Sequence, residues 1–103
     1  MERLAIRYAQ GIETAIDAAR LPWTIARLGC RAEWRFCHPA PRNGAESAAA
    51  HDEDLDQVTH LYLLNRGVLL TPFHAMALMC PETSEADVDL AVRLFGECVA
   101  ALT

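Results

Sequence analysis

Lysine is absent from this chain; all nine of its basic residues are arginine. A Schiff base with a carbonyl group needs a side-chain amine, so no residue here can form one. The point-charge lysine of a phosphate-binding P-loop is missing for the same reason. Acidic residues outnumber basic ones, 14 to 9, for a net charge of −5. That balance, with no basic stripe, argues against a nucleic-acid partner. No apolar run approaches the 18 or so residues of a membrane span. The four cysteines, Cys30, Cys37, Cys80 and Cys98, include no C-x-x-C pair. With no apolar signal-like start, a reduced, cytoplasmic chain is expected. Structural zinc wants closely spaced ligand pairs, and the four histidines and four cysteines offer none, so no metal site is expected.

What is present is ordinary globular composition, 52% hydrophobic and 22% charged over 103 residues. That supports a single domain spanning 1–103 that buries roughly 60–65% of its unfolded surface. Leu4, Tyr8, Ile12, Ala15, Ile16 and Ala19 recur at helical spacing and predict a helix over 3–20, stopped by Pro22. Residues 23–28 read as a short strand. Residues 31–37 alternate, with Ala32, Trp34 and Phe36 on one face and Arg31, Glu33 and Arg35 on the other, as in a half-buried antiparallel strand. Gly29-Cys30 suits a tight hairpin between them.

Pro39, Pro41 and Asn43-Gly44 mark a loop over 38–44. Residues 45–50, rich in alanine, suit either more loop or a helical lead-in. Asp52 is a good N-cap for a helix over 53–66 whose apolar face is Leu55, Val58, Leu61, Tyr62 and Leu64, with Gly67 in the left-handed position beyond it. The carboxylates Glu53, Asp54 and Asp56 are accounted for by the positive end of that helix. Residues 68–70 read as a short buried strand and 75–80 as another. Ser84 and Asp87 frame a capping box for a last helix, its stripe formed by Val88, Ala91, Val92, Phe95, Val99 and Leu102. The expected order is α-β-β-α-β-β-α. The fold class is α+β: a small, mostly antiparallel sheet of about four strands, covered by helices on one face.

Thr71-Pro72-Phe73-His74 is the least ordinary stretch. It sets a proline, an aromatic ring and an imidazole between two short strands. Such a connection is a turn with a half-buried ring, or a loop presented to a ligand.

The segment from Leu64 through Arg66-Gly67 to Thr71-Pro72, followed by Thr83-Ser84-Glu85-Ala86-Asp87-Val88-Asp89, resembles the C-terminal small domain of class III pyridoxal-phosphate aminotransferases. It is most similar to the glutamate-1-semialdehyde aminomutase branch. Helix one and the 23–37 strand pair fit that domain in order and length. The resemblance implies that the complete enzyme binds pyridoxal phosphate in a large domain that is not matched here. It implies no catalytic or cofactor-binding residue in this chain, and no activity for the chain alone. It implies a homodimer acting on an amino acid, or on an amino-aldehyde or keto-acid substrate. Many members hold a substrate carboxylate with an arginine in the strand matching 75–80. This chain has Ala-Met-Ala-Leu-Met-Cys there, and the aminomutase branch also lacks that arginine. Thr71, Phe73, His74 and Arg35 are the candidates for positioning substrate, with Arg42 a further arginine of no assigned role. The competing reading is a free-standing, non-catalytic interaction or dimerisation module.

Overall fold

The computed structural model describes residues 1–50, 52–70 and 76–102. Its elements are α1 (Glu2–Ala19), β1 (Thr24–Leu28), β2 (Arg31–Arg35), α2 (Gly44–Ala49), α3 (Glu53–Leu64), β3 (Met76–Leu78) and α4 (Glu85–Leu102). The α+β class stands, with an antiparallel three-stranded sheet in the order β1-β2-β3. Register pairs Ile25 with Trp34, Ala32 with Ala77, and Arg31 with both Leu28 and Leu78. Directly opposed residues share a face. One face therefore carries Ile25, Trp34, Ala32 and Ala77, and the other carries Leu28, Arg31 and Leu78.

The first of these faces is the core. Trp34 is buried against Phe95 of α4, their rings 4.6 Å apart, and Trp23 stands edge-on to Phe36 at 4.8 Å. Helices α1 and α4 cover this face side by side. Arg7 donates to Asp89 at 2.7 Å, Val92 lies against Gly11, and Ala15 against Gly96. The sequence offset of each pair is nearly constant, so the two helices run parallel and small residues line their seam. The Arg7 guanidinium, hydrogen-bonded to Asp89, holds that carboxyl below its ordinary range. A depressed carboxyl stabilises the fold above the ordinary aspartate range, and the contribution fades as pH falls through the lowered value. Both side chains are about half exposed, so the gain is small.

The expected fourth strand, residues 68–70, is not formed. The chain leaves α3 through a Schellman turn. Gly67 adopts φ +95°, the Gly67 N–H donates to the Leu64 carbonyl, and the Val68 N–H donates to the Leu63 carbonyl at 2.9 Å. That last bond takes the donor a ladder would have used, and Leu69 is left exposed. A helix replaces the ambiguity over 45–50. Asn43 caps α2 by accepting from the Glu46 N–H, and the Glu46 carboxylate accepts from the Arg42 N–H. The capping box of α4 forms reciprocally between Ser84 and Asp87.

Two apolar stripes are corrected. On α3 the buried residues are Asp56, Thr59 and Leu63, while Val58, Leu61 and Leu64 are exposed. Thr59 can be buried because its hydroxyl donates back to the carbonyls of Leu55 and Asp56. On α4 the buried set is Val88, Leu94, Phe95, Cys98 and Val99, and Leu102 is exposed. α4 packs against both α1 and α3, which widens its stripe beyond a single helical face.

Candidate functional site

Thr71, Phe73 and His74 lie outside the described residues. What the structure places are their flanks. Leu69 and Leu70 on one side and Met76 on the other line a groove of about 240 Å³, together with Tyr8, Leu78 and Thr83. The Tyr8 phenol is almost fully buried and has no hydrogen-bond partner among the described residues. Burial pushes its pKa well above the ordinary range for tyrosine.

Arg35, at the end of β2, is set differently. Its guanidinium donates to Glu33 Oε1 at 2.8 Å and to the Ser47 carbonyl. The second bond reaches α2 and ties that short helix to the sheet. The side chain is one-fifth exposed, and its Nε has no partner among the described residues. Arg42 is exposed and pairs with Glu46 at 3.2 Å within the cap of α2.

Sequence reasoning passed over an exposed thiol with a hydroxyl beside it. Cys80 is exposed, and its Sγ lies 3.3 Å from the Thr83 hydroxyl. That hydrogen bond, helped by the Glu82 backbone, holds the thiol below its ordinary pKa of 9.0. The signal available was C-P-E-T, a turn that returns a hydroxyl to the thiol after three residues. Cys98 is the opposite case: burial raises it, against a smaller lowering by Arg66. Thiolate is the nucleophile, so iodoacetamide near pH 8 should alkylate Cys80 well before Cys98. Thr83→Val should slow Cys80, as read by peptide mass spectrometry. Equal rates at the two cysteines would contradict the assignment. The four thiols are all free, and no cluster of three or more metal-ligating side chains occurs among the described residues.

No protein-family model matches the chain. Among solved structures, a glutamate-1-semialdehyde aminomutase from Pseudomonas aeruginosa PAO1 superposes with a TM-score of 0.97 at 46% identity, over 99% of this chain and 22% of that one. In sequence and in fold, the chain is similar to one part of a glutamate-1-semialdehyde aminomutase. A curated glutamate-1-semialdehyde 2,1-aminomutase from Neisseria meningitidis is 32% identical across 88% of this chain and 22% of the relative. The chain thus spans about a fifth of the relatives it matches. The Pseudomonas aminomutase was also solved as a lysine-to-alanine variant in complex with PMP. A β-phenylalanine aminotransferase from Variovorax paradoxus, 20% identical with a TM-score of 0.83, shares the fold alone.

The cofactor those names carry does not fit the aminomutase-like module by itself. The module has no lysine to condense with an aldehyde, and the one buried, unpartnered arginine nitrogen among the described residues belongs to a guanidinium already bonded to Glu33 and Ser47. Among the described residues, no helix is long and apolar enough to cross a membrane.

Proposed function

We propose that this chain is the C-terminal small domain of a pyridoxal-phosphate-dependent aminomutase or aminotransferase of class III, and that it helps close the active site over substrate. The observation that carries the reading is the 46% identity over 99% of the chain to an aminomutase, in a module that itself lacks lysine. Amino-group transfer, pyridoxal phosphate and its lysine belong to the rest of such an enzyme. The substrate is an amino acid, or an amino-aldehyde or keto-acid counterpart, handled by a cytoplasmic homodimer. By itself this chain is inert.

In this reading, Thr71, Phe73 and His74 face the substrate from the connection between Leu70 and Met76. They position it and move no proton. Arg35 contributes by pinning α2 to the sheet, with Nε as the donor it has left to offer. The test is a chimaera in which this chain replaces the matched fifth of the Pseudomonas aminomutase. Turnover should persist. Replacing Phe73 and His74 by alanine in the chimaera should raise KM more than it lowers kcat. In the isolated chain the same change should cost within about 1 kcal/mol of stability, as at an ordinary surface position. A large loss of stability with KM unchanged would make these two side chains part of the core. The alternative, a free-standing dimerisation module, predicts a stable dimer of the isolated chain and no turnover from the chimaera.

A further inference from the structure

The Tyr8 hydroxyl is buried at a groove of about 240 Å³, with no hydrogen-bond partner among the described residues. A buried donor left unpaired is costly, and folded proteins seldom keep one without a use. Other hydroxyls in this chain find carbonyls: buried Thr59 donates to Leu55 and Asp56, and half-buried Thr24 donates to Cys37. Tyr8 is the one residue of α1 in the described lining of the groove; the rest come from residues 69–70, 76–79 and 83–91. A side chain that reaches the groove from α1 meets it with its far end, which in tyrosine is the hydroxyl. The walls are apolar, formed by Leu70, Met76, Met79, Val88 and Ala91. The polar groups of Thr83 and Asp87, also in the lining, already serve the turn before α4. The Thr83 hydroxyl accepts from the Cys80 N–H, and an Asp87 carboxylate oxygen accepts from the Ser84 N–H. Tyr8 is therefore the donor in this groove that still lacks an acceptor.

We infer that this groove is a binding site for a small uncharged molecule with an apolar body and one carbonyl oxygen, which accepts the Tyr8 hydrogen bond. The apolar walls supply most of the affinity, through area removed from water, and the single donor sets orientation. The volume sets the size. An apolar cavity of about 150 Å³ holds benzene, so this groove takes a ring with a short substituent. Charge is set at the rim, where the exposed Asp87 carboxylate disfavours an anion. A ketone, an aldehyde or an amide on an aromatic or branched aliphatic body meets all of these conditions. Burial keeps the phenol protonated, so it remains a donor across the working pH range. Its oxygen has almost no exposed surface, and an occupant must part the side chains above it to reach it. Met76 and Met79, unbranched and flexible, are the lining residues suited to yield.

Acetophenone and its hydrocarbon isostere α-methylstyrene test the assignment. Both present the same ring and branch, and only the ketone carries an acceptor. Each is titrated into this chain and followed through the methionine methyl signals in carbon–proton NMR spectra. The chain has three methionines, and Met1 is outside the groove, so Met76 and Met79 should shift while Met1 stays. Acetophenone should saturate and bind more tightly than α-methylstyrene. Tyr8→Phe should weaken acetophenone by roughly 3–10-fold, the worth of one neutral hydrogen bond, and leave α-methylstyrene unchanged. A second measurement needs no ligand. An unpaired hydroxyl stabilises nothing in the empty groove, so Tyr8→Phe should leave the melting temperature unchanged or raise it. A lowered melting temperature would mean that the hydroxyl already has an acceptor in the folded chain, bound water included, and would overturn the inference. Equal affinity for the two probes, an acetophenone affinity that Tyr8→Phe does not change, or no saturation up to the solubility of acetophenone would overturn it as well.

Discussion

Phe95→Ala should remove about 3–5 kcal/mol of stability, the usual cost of emptying a buried aromatic site. Phe95 has no exposed surface and sits between Trp34, at 4.6 Å, and Trp23, at 6.4 Å. It joins α4 to β2 and to the residue that leads into β1. No single neighbour can fill the space, because both tryptophans are fixed by further contacts: Trp23 by Phe36, and Trp34 by its place in the central strand. A domain of this size holds about 5–15 kcal/mol in all, so the variant should be marginal or unfolded at 37 °C. Urea denaturation followed by tryptophan fluorescence measures the loss. A value under about 1 kcal/mol, typical of a surface site, would contradict this picture of the core.

Gly11→Ala should destabilise the chain, although alanine is the better helix former. A Cβ built at Gly11 falls 2.6 Å from Val92 Cγ1 and 2.8 Å from Cγ2. Val92 is β-branched and its χ1 is stiff in a helix, so its methyls cannot swing aside. α1 and α4 must separate instead. Overpacking of this kind costs about 1–3 kcal/mol, against a propensity gain of about 1 kcal/mol at most. Val92→Ala should relieve the clash, so the double variant should lose less than the sum of the two single losses. Gly96→Ala is the control on the same seam. Its Cβ would meet Ala15 at 3.9 Å, an ordinary contact, and the change should stabilise. Paired thermal melts of the four variants check the sign in each case.

The contrast between these glycines shows what a linear reading reaches. Periodicity identified α1 through Leu4, Tyr8, Ile12 and Ile16, all buried, and alternation identified β2 through Ala32 and Trp34. Ser84 and Asp87 announced their cap. These signals are local, carried by residues a turn or a strand apart. Gly11 carries no such signal, because its reason is Val92, 81 positions away. Residues 68–70 have strand composition, but Gly67 spends the Val68 N–H on the helix end. On α3, apolar residues occur on both sides, and only packing against α4 selects Thr59 and Leu63 over Val58, Leu61 and Leu64.

The candidate site was legible to a lesser degree. Thr71, Phe73 and His74 attracted attention as a proline-aromatic-imidazole connection, and resemblance gave them a direction. Arg35 was legible as an outward residue of an alternating strand. Its bond to the Ser47 carbonyl was not, since the 12-residue reach depends on how α2 folds back. The groove against Tyr8 was equally hidden. β3 brings Met76 and Leu78 to it from far along the chain.

Under the proposed function, this chain shapes an active site whose covalent chemistry is supplied by residues other than these 103. The most direct measurement of this is borohydride reduction after mixing with pyridoxal phosphate, with the adduct located by peptide mapping, on the isolated chain and on the chimaera. With no lysine among the 103 residues, reduction of the isolated chain should leave no stoichiometric adduct beyond incidental reaction at the Met1 amine. In the chimaera the adduct should fall on a lysine outside these residues. A stoichiometric adduct within the 103 residues, away from Met1, would contradict the account.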